Sequence, residues 1–260
     1  CLHQILEKLD FQIAIKSEKT SSLILEELRK FGIDTKYLTT VQKGLNRVLN
    51  IPLGKDLGML CLNKIKEKNR IHEMKFDLPI SNQGKPINSK DISNAFLKNP
   101  EKKFGNSYST KINNLTFLSK GFLTGSIDLV FADSENLLNA KWWVADWKSN
   151  WLGVSTEGSI SCGPQHYDKS SMENEMVLHH YPLQAHLYLL ALHKLLKWRL
   201  PQYSPYRHLG GYIYFFLRGI PSEGYMNTRT KKESCPGLII ENAPIERVLE
   251  IEKIFEHGGQ

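Results

Sequence analysis

The chain has 260 residues, of which 41% are hydrophobic, enough to fill the core of one large domain or two small ones. Its 34 Lys and Arg residues against 27 Asp and Glu give a formal net charge of +7, which favours a polyanionic partner without establishing one. This composition excludes a disordered tail, and no apolar run reaches the roughly 18 residues of a membrane span, so we predict no membrane contact.

Four cysteines lie far apart in the sequence: Cys1, Cys61, Cys162 and Cys235. Zinc sites need close pairs of cysteines and disulfide scaffolds need a higher density of them. We therefore predict free thiols in a reducing cytoplasm. The chain begins with a cysteine instead of Met and shows no charged-then-apolar leader, so we expect it to be a piece of a larger polypeptide.

Residues 1–70 show the apolar spacing of amphipathic helices. One apolar stripe runs from Leu2 to Leu9, a second from Leu23 to Leu28, and a third helix is predicted from Thr39 to Leu49. The sequence thus predicts a helical N-terminal part, residues 1–70, ahead of a core formed by residues 71–260.

Alternating apolar residues from Ile71 to Ile80 predict the first strand of this core. A polar stretch follows, with one short helix expected near Ile92 to Leu97. Two further strands are predicted at Leu115 to Phe131, with a turn near Gly121, and at Lys141 to Lys148.

Residues 153–171 are rich in Gly and Ser and predict a flexible loop. A long helical pattern runs from Met172 to Leu200, with a kink expected at Pro182. A buried strand at Tyr212 to Leu217 and a closing helix at Ile245 to Phe255 complete the pattern. This order predicts an α/β fold, a central mixed β-sheet flanked by helices.

Asp128 lies within the apolar segment Gly125 to Phe131. Strand alternation predicts Ile127, Leu129 and Phe131 on one face and Asp128 on the other. A carboxylate in such a strand is costly unless it is paired, and a cation is its natural partner.

Asp146 and Lys148 are two residues apart in the next predicted strand and therefore share a face. Carboxylates on two adjacent strands can hold a hard divalent ion, which can activate water and stabilise charge on a phosphate. The alternative is a solvent-facing ion pair between Asp146 and Lys148, with Asp128 as a turn residue.

Two segments, residues 121–131 and the string Asp-Trp-Lys-Ser-Asn-Trp-Leu-Gly at 146–153, closely resemble the carboxy-terminal nuclease domain of RecB, a family of the PD-(D/E)xK nuclease superfamily. The resemblance extends from Leu2 and His3 through residues 181–193 to residues 208–219. It implies a restriction-endonuclease-like core, in which Asp146 and Lys148 are the second acidic residue and the lysine of the motif.

The resemblance also implies a magnesium site formed by His3, Asp128, Asp146 and the backbone carbonyl of Trp147. Manganese would substitute for magnesium, and calcium would inhibit. Lys148 would assist the attacking water. Without the resemblance, His3 is an ordinary histidine at the edge of a helix.

Glu73 matches an acidic position in the first core strand of the family, where it would reach the metal through water or hold Lys148; a surface glutamate is the alternative. Gln184 and Tyr188 match the Q-x-x-x-Y helix of RecB-like nucleases, which would line the DNA channel and support the site, with plain helix packing as the alternative. Tryptophan rings could stack on unpaired bases, although core packing is the better explanation for most of these: Trp142, Trp143, Trp147 and Trp151.

By this resemblance the chain would hydrolyse DNA phosphodiester bonds as part of exodeoxyribonuclease V (RecBCD). It would be fused to a helicase region and act with RecC and RecD on double-stranded ends and single strands, in double-strand break processing and recombinational repair. The chain has no GxxxxGK[ST] phosphate loop, so ATP dependence would come from other parts of that complex.

Two alternatives stay open. One is a catalytically silent nuclease fold that binds or guides DNA, which the presence of Asp128, Asp146 and Lys148 disfavours. The other is an iron–sulfur nuclease of the AddB or Cas4 type, which needs clustered cysteines, whereas Cys162 and Cys235 are far apart.

Overall fold

The computed structural model describes residues 1–80, 84–99, 103–156, 158–222 and 235–258. Its helices are α1 (Leu2–Lys8), α2 (Glu18–Lys30), α3 (Leu38–Asn50), α4 (Ser89–Lys98), α5 (Asn106–Asn113), α6 (Lys169–Leu178), α7 (Tyr181–Arg199), α8 (Pro205–His208) and α9 (Ile245–His257). Its strands are β1 (Arg70–Ile80), β2 (Ile87–Asn88), β3 (Leu118–Ser119), β4 (Gly121–Ala132), β5 (Trp142–Lys148), β6 (Val154–Thr156), β7 (Ser159–Ser161), β8 (Leu209–Phe216) and β9 (Leu238–Asn242).

Five strands form one mixed sheet in the order β1-β4-β5-β8-β9. Strands β5 and β8 are parallel, while the other neighbours are antiparallel. Two small two-stranded sheets lie outside it: β2-β3 and the hairpin β6-β7. The predicted α/β class, a mixed central sheet flanked by helices, is confirmed.

A separate apolar core covers each face of the sheet. The first core lies under α4 to α7 and α9 and includes Val144 and Phe216. The second core lies under α1 to α3 and includes Ile5, Trp143 and Trp147. Successive residues of β5 therefore alternate between the two cores, as the period of a strand requires. The prediction of core packing is confirmed for these two tryptophans, which are 0% and 2% exposed.

The regular alternation of side chains along strand β4 is interrupted at Asp128. Ile127 packs into the first core, whereas Leu129 and Phe131 pack into the second. The expectation that these three residues share a face is therefore wrong. Asp128 lies opposite Glu73 in the β1-β4 ladder, and Glu73 has a left-handed backbone with φ 48°. A left-handed residue interrupts the regular alternation of side chains, so both strands are irregular at this point.

The structure corrects the predicted long helix between residues 172 and 200. Two helices, α6 and α7, occupy this region and are separated by His179 and His180. His180 adopts a left-handed backbone with φ 56°, which ends the helical path. Pro182 lies in the first turn of α7, where its missing N–H costs nothing, so it does not kink the helix.

Three other elements differ from the prediction. The polar stretch contains the second helix α5 as well as α4, because Tyr108 and Ile112 give α5 a buried side. The loop expected at residues 153–171 contains the hairpin β6-β7 and the start of α6. Strand β9 was not predicted, since it is only five residues long and is stabilised by antiparallel pairing with β8.

The close packing of β8 against β9 can be tested by substituting a glycine at that contact and, as a control, a glycine elsewhere. A Cβ on Gly211 would lie 2.0 Å from the Glu241 carbonyl oxygen, whereas a Cβ on Gly44 in α3 meets nothing within 4 Å. We expect Gly211→Ala to destabilise the fold by about 3 kcal/mol through overpacking. Gly44→Ala should stabilise it by up to about 1 kcal/mol through helix propensity. Urea denaturation measures both, and equal effects would contradict the β8-β9 packing.

Candidate active site

Asp128 connects the interior of strand β4 to the end of strand β5. Its Oδ2 atom accepts a hydrogen bond of 2.8 Å from the backbone N–H of Trp147. The ladder between β4 and β5 has its last pair at Leu129 and Ala145, so the carboxylate takes the place of the next backbone acceptor. Because the N–H and C=O of one strand residue point to the same side, the Trp147 carbonyl also points towards the β4 side.

Asp146 and Lys148 lie together at the end of β5, on the face that carries Val144. The Lys148 Nζ atom is 2.7 Å from Asp146 Oδ2. The side chains of Lys148 and Asp146 are only 12% and 5% exposed, so this pair is not the solvent-facing ion pair of the alternative interpretation. A buried charge pair in such a position is held by further polar contacts.

Helix α7 supplies those contacts through Gln184 and Tyr188. Gln184 accepts a hydrogen bond of 3.1 Å from Lys148 Nζ and donates one of 2.9 Å to the Tyr188 hydroxyl. Tyr188 in turn donates to Asp146 Oδ1 at 3.3 Å. One turn of α7 therefore fixes both charged groups of β5. The contacts of Gln184 and Tyr188 are those of residues that support the site.

Two tyrosines that the sequence analysis left without a role enclose the lysine. The Lys148 Nζ atom lies 3.9 Å from the ring centre of Tyr181 and 5.3 Å from that of Tyr214. The two rings are stacked, with centres 5.7 Å apart. Aromatic faces attract an ammonium group, so the two tyrosine rings help to fix the position of the Lys148 side chain. The sequence carried only a weak signal for the role of Tyr181, namely an aromatic residue three positions before Gln184.

His3 and Glu73 approach the site from α1 and β1. His3 Nδ1 is 3.5 Å from Asp128 Oδ2, and the imidazole is 45% exposed. Glu73 accepts a hydrogen bond of 2.8 Å from the Ser126 hydroxyl. Lys148 is held by Asp146 on β5 and by Gln184 on α7.

Burial shifts the titration of both carboxylates. Burial, reinforced by the charge of Asp146, raises the pKa of Asp128 to about 7, although the Trp147 N–H opposes the shift. Burial also raises the pKa of Asp146 above its ordinary value, against the attraction of Lys148. Burial lowers the pKa of His3, which favours the neutral imidazole that binds metals. The site therefore carries unfavourable negative charge at neutral pH.

These donors fit a divalent cation. Two carboxylates and a backbone carbonyl are hard oxygen ligands, the kind that Mg²⁺ and Mn²⁺ prefer. A positive charge between Asp128 and Asp146 would stabilise the ionised form of both carboxylates, which burial disfavours. Within the described parts of the chain, no three His, Cys, Asp or Glu side chains form a ready-made cation cage. A cation would therefore share Asp146 with Lys148.

Cys1, Cys61 and Cys162 lie in separate surroundings and are free thiols. Cys61 Sγ lies 3.2 Å from the Asn50 carbonyl, and Cys162 Sγ lies 3.4 Å from the Tyr167 hydroxyl. Across the described residues, no helix is long and apolar enough to cross a membrane.

Comparison with known proteins identifies a set of similar sequences, although no family model matches the chain. The chain is 31% identical over 255 residues to the RecBCD enzyme subunit RecB of Buchnera aphidicola subsp. Baizongia pistaciae, a match covering 98% of the chain and 18% of that subunit. It is 30% identical over 233 residues to RecB of Escherichia coli, covering 88% and 17%. With RecB of Mycolicibacterium smegmatis it is 30% identical over 214 residues, covering 79% and 19%. The chain thus spans less than a fifth of these relatives.

The raised pKa of Asp128 predicts a pH-dependent gain in stability for Asp128→Asn, which keeps an oxygen for the Trp147 N–H and removes the charge. The folded-state pKa of Asp128 is about 7, above its unfolded value, so the fold loses stability as pH rises towards 7. We expect the variant to gain more stability at pH 8 than at pH 5, by on the order of 2 kcal/mol. Urea denaturation in EDTA measures this.

The exposed Asp77 on β1 gives the matched control, and Asp77→Asn should show no such dependence. Equal gains for Asp128→Asn at pH 5 and pH 8 would contradict the raised pKa of Asp128.

Proposed function

We propose, from the premise that this chain is homologous over nearly its whole length to one segment of RecB, that it is a magnesium-dependent DNA nuclease domain. This segment fits the carboxy-terminal nuclease domain of RecB that the motifs resemble. The observation that carries the proposal is the convergence of Asp128, from within β4, with Asp146 and Lys148, from the end of the adjacent strand β5. Neither carboxylate has its ordinary pKa, which is typical of a site that binds a cation.

Asp128, Asp146 and the Trp147 carbonyl would hold the cation, and the neutral imidazole of His3 would complete the set from α1. When bound, a divalent cation polarises a phosphate and lowers the pKa of a water molecule. The ammonium of Lys148 then orients the attacking water and offsets negative charge that develops on the phosphate. Gln184 and the Tyr181 ring keep that ammonium in place during the reaction.

Glu73 is the least direct member of the proposed site. Its carboxylate is held by Ser126, and its charge contributes to the raised pKa of Asp128. We propose that it acts on the cation through water. Tyr188 acts through Asp146, whose orientation it fixes.

The relatives are named as a subunit of the RecBCD enzyme, and each is more than five times as long as the matched segment. We propose that the chain works in the same setting: joined to a helicase region, assembled with RecC and RecD, and acting on double-stranded ends and single strands during recombinational repair. The helicase would supply the ATP dependence.

The nuclease proposal predicts cleavage of single-stranded DNA by the chain in magnesium. Asp146→Asn and Lys148→Met should each lower the rate at least a hundredfold, because they remove charge that acts on the reacting phosphate. The exposed Asp77→Asn serves as control and should cut at the unaltered rate. Gel analysis of a labelled oligonucleotide gives the rates. DNA binding without cutting by the unaltered chain would instead support a silent guide.

The raised pKa of Asp128 also predicts that magnesium binding strengthens with pH. Protons compete with the cation below a pKa of about 7, so affinity should rise by roughly tenfold between pH 6 and pH 8. Isothermal titration calorimetry measures the affinity directly. In Asp128→Asn the pH dependence should be much weaker. A pH-independent affinity in the unaltered chain would place the cation elsewhere.

A further inference from the structure

A cavity of about 640 Å³ opens beside the end of β5, between α5, α6 and the segment that follows β5. Its wall includes Trp151 and Leu152 from that segment, Lys111 from α5, and Asn174 and Leu178 from α6. The mechanism above uses none of these residues.

Trp151 presents an aromatic ring to this cavity. Its side chain is 44% exposed, and Leu178 across the cavity is 65% exposed. A Cβ on Gly153 would lie 2.7 Å from the Trp151 Cζ2 atom, so the ring packs closely against the bare glycine backbone. The contact with Gly153 thus restricts the movement of the Trp151 ring, while much of the ring stays exposed to solvent. A fixed, open aromatic face is the feature on which unpaired bases stack.

Direct contacts connect this cavity to the catalytic lysine. Asn150 donates a hydrogen bond of 2.7 Å to Glu175 in the cavity wall, and its amide group is 3.2 Å from the Tyr181 hydroxyl. The Tyr181 ring lies against Lys148 Nζ. Trp151 is three residues from Lys148, so their Cα atoms are at most about 11 Å apart. A strand with its phosphate at Lys148 therefore reaches the cavity within about three nucleotides.

The charges at the cavity suit a phosphate backbone. Lys111 is exposed, and no carboxylate among the described residues lies within ion-pair distance of it. Glu175, the acidic residue of the wall, is engaged by Asn150 and by His179, whose Nε2 is 3.0 Å away. Lys111 is thus the basic group that a passing phosphate would meet.

We propose that this cavity is a base-binding subsite for single-stranded DNA, in which Trp151 stacks on one unpaired nucleobase and Lys111 contacts a neighbouring phosphate. In a duplex the base faces are already covered by neighbouring pairs, so the subsite accepts a single strand. The proposal rests on the nuclease function proposed above and names the form of DNA that the site takes.

The test compares two 20-nucleotide strands, poly-dT and a wholly abasic strand of the same length, which differ only in their bases. Binding is measured by fluorescence anisotropy in EDTA, so that cleavage does not interfere. The unaltered chain should bind poly-dT about tenfold more tightly than the abasic strand, as expected for one stacked base. Trp151→Ala should remove most of that difference, and Trp151→Phe should keep most of it.

Trp198→Ala is the matched control, because Trp198 is 72% exposed on α7 and does not line the cavity. Circular dichroism establishes that each variant is folded. An unchanged preference for poly-dT in folded Trp151→Ala would overturn the subsite, even if the chain cuts DNA. If the preference depends on Trp151 but the unaltered chain does not cut in magnesium, the subsite stands and the nuclease proposal fails.

Discussion

The burial of Asp128 and Asp146 side by side is the constraint around which the site is arranged. Burial raises the cost of ionising both carboxylates, and the charge of Asp146 adds to that cost at Asp128. The fold offsets this cost with three donors that point at the carboxylates: the Trp147 N–H, the Lys148 ammonium and the Tyr188 hydroxyl. These contacts keep the two groups together but leave net negative charge, which a divalent cation can neutralise.

The sheet explains how two such groups come to lie side by side. Strand β5 pairs regularly with β8 from Trp143 to Lys148, so Asp146 and Lys148 share one face with Val144. The alternation of side chains in strand β4 is interrupted at Asp128, across from Glu73 with its left-handed backbone. The Asp128 carboxylate therefore reaches the backbone N–H of Trp147 in β5. The irregularity costs local stability, and such irregular positions in strands are common beside active sites.

The sequence allowed the regular parts of this arrangement to be predicted, since a period of two places Asp146 and Lys148 on one face. It failed where the backbone departs from that period: the left-handed residues Glu73 and His180 have no clear sequence signature, so the face change in β4 and the break between α6 and α7 were missed. The enclosure of Lys148 by Tyr181 and Tyr214 depends on how α7 packs against β5 and β8, which no local pattern shows.

The most direct test of the account is anomalous diffraction from crystals of the chain grown with Mn²⁺. The account predicts an anomalous peak within ligand distance of both Asp128 and Asp146, on the side to which the Trp147 carbonyl points, with His3 close enough to bind. A peak bound elsewhere, or no peak at saturating Mn²⁺ with Lys148 still paired to Asp146, would contradict it.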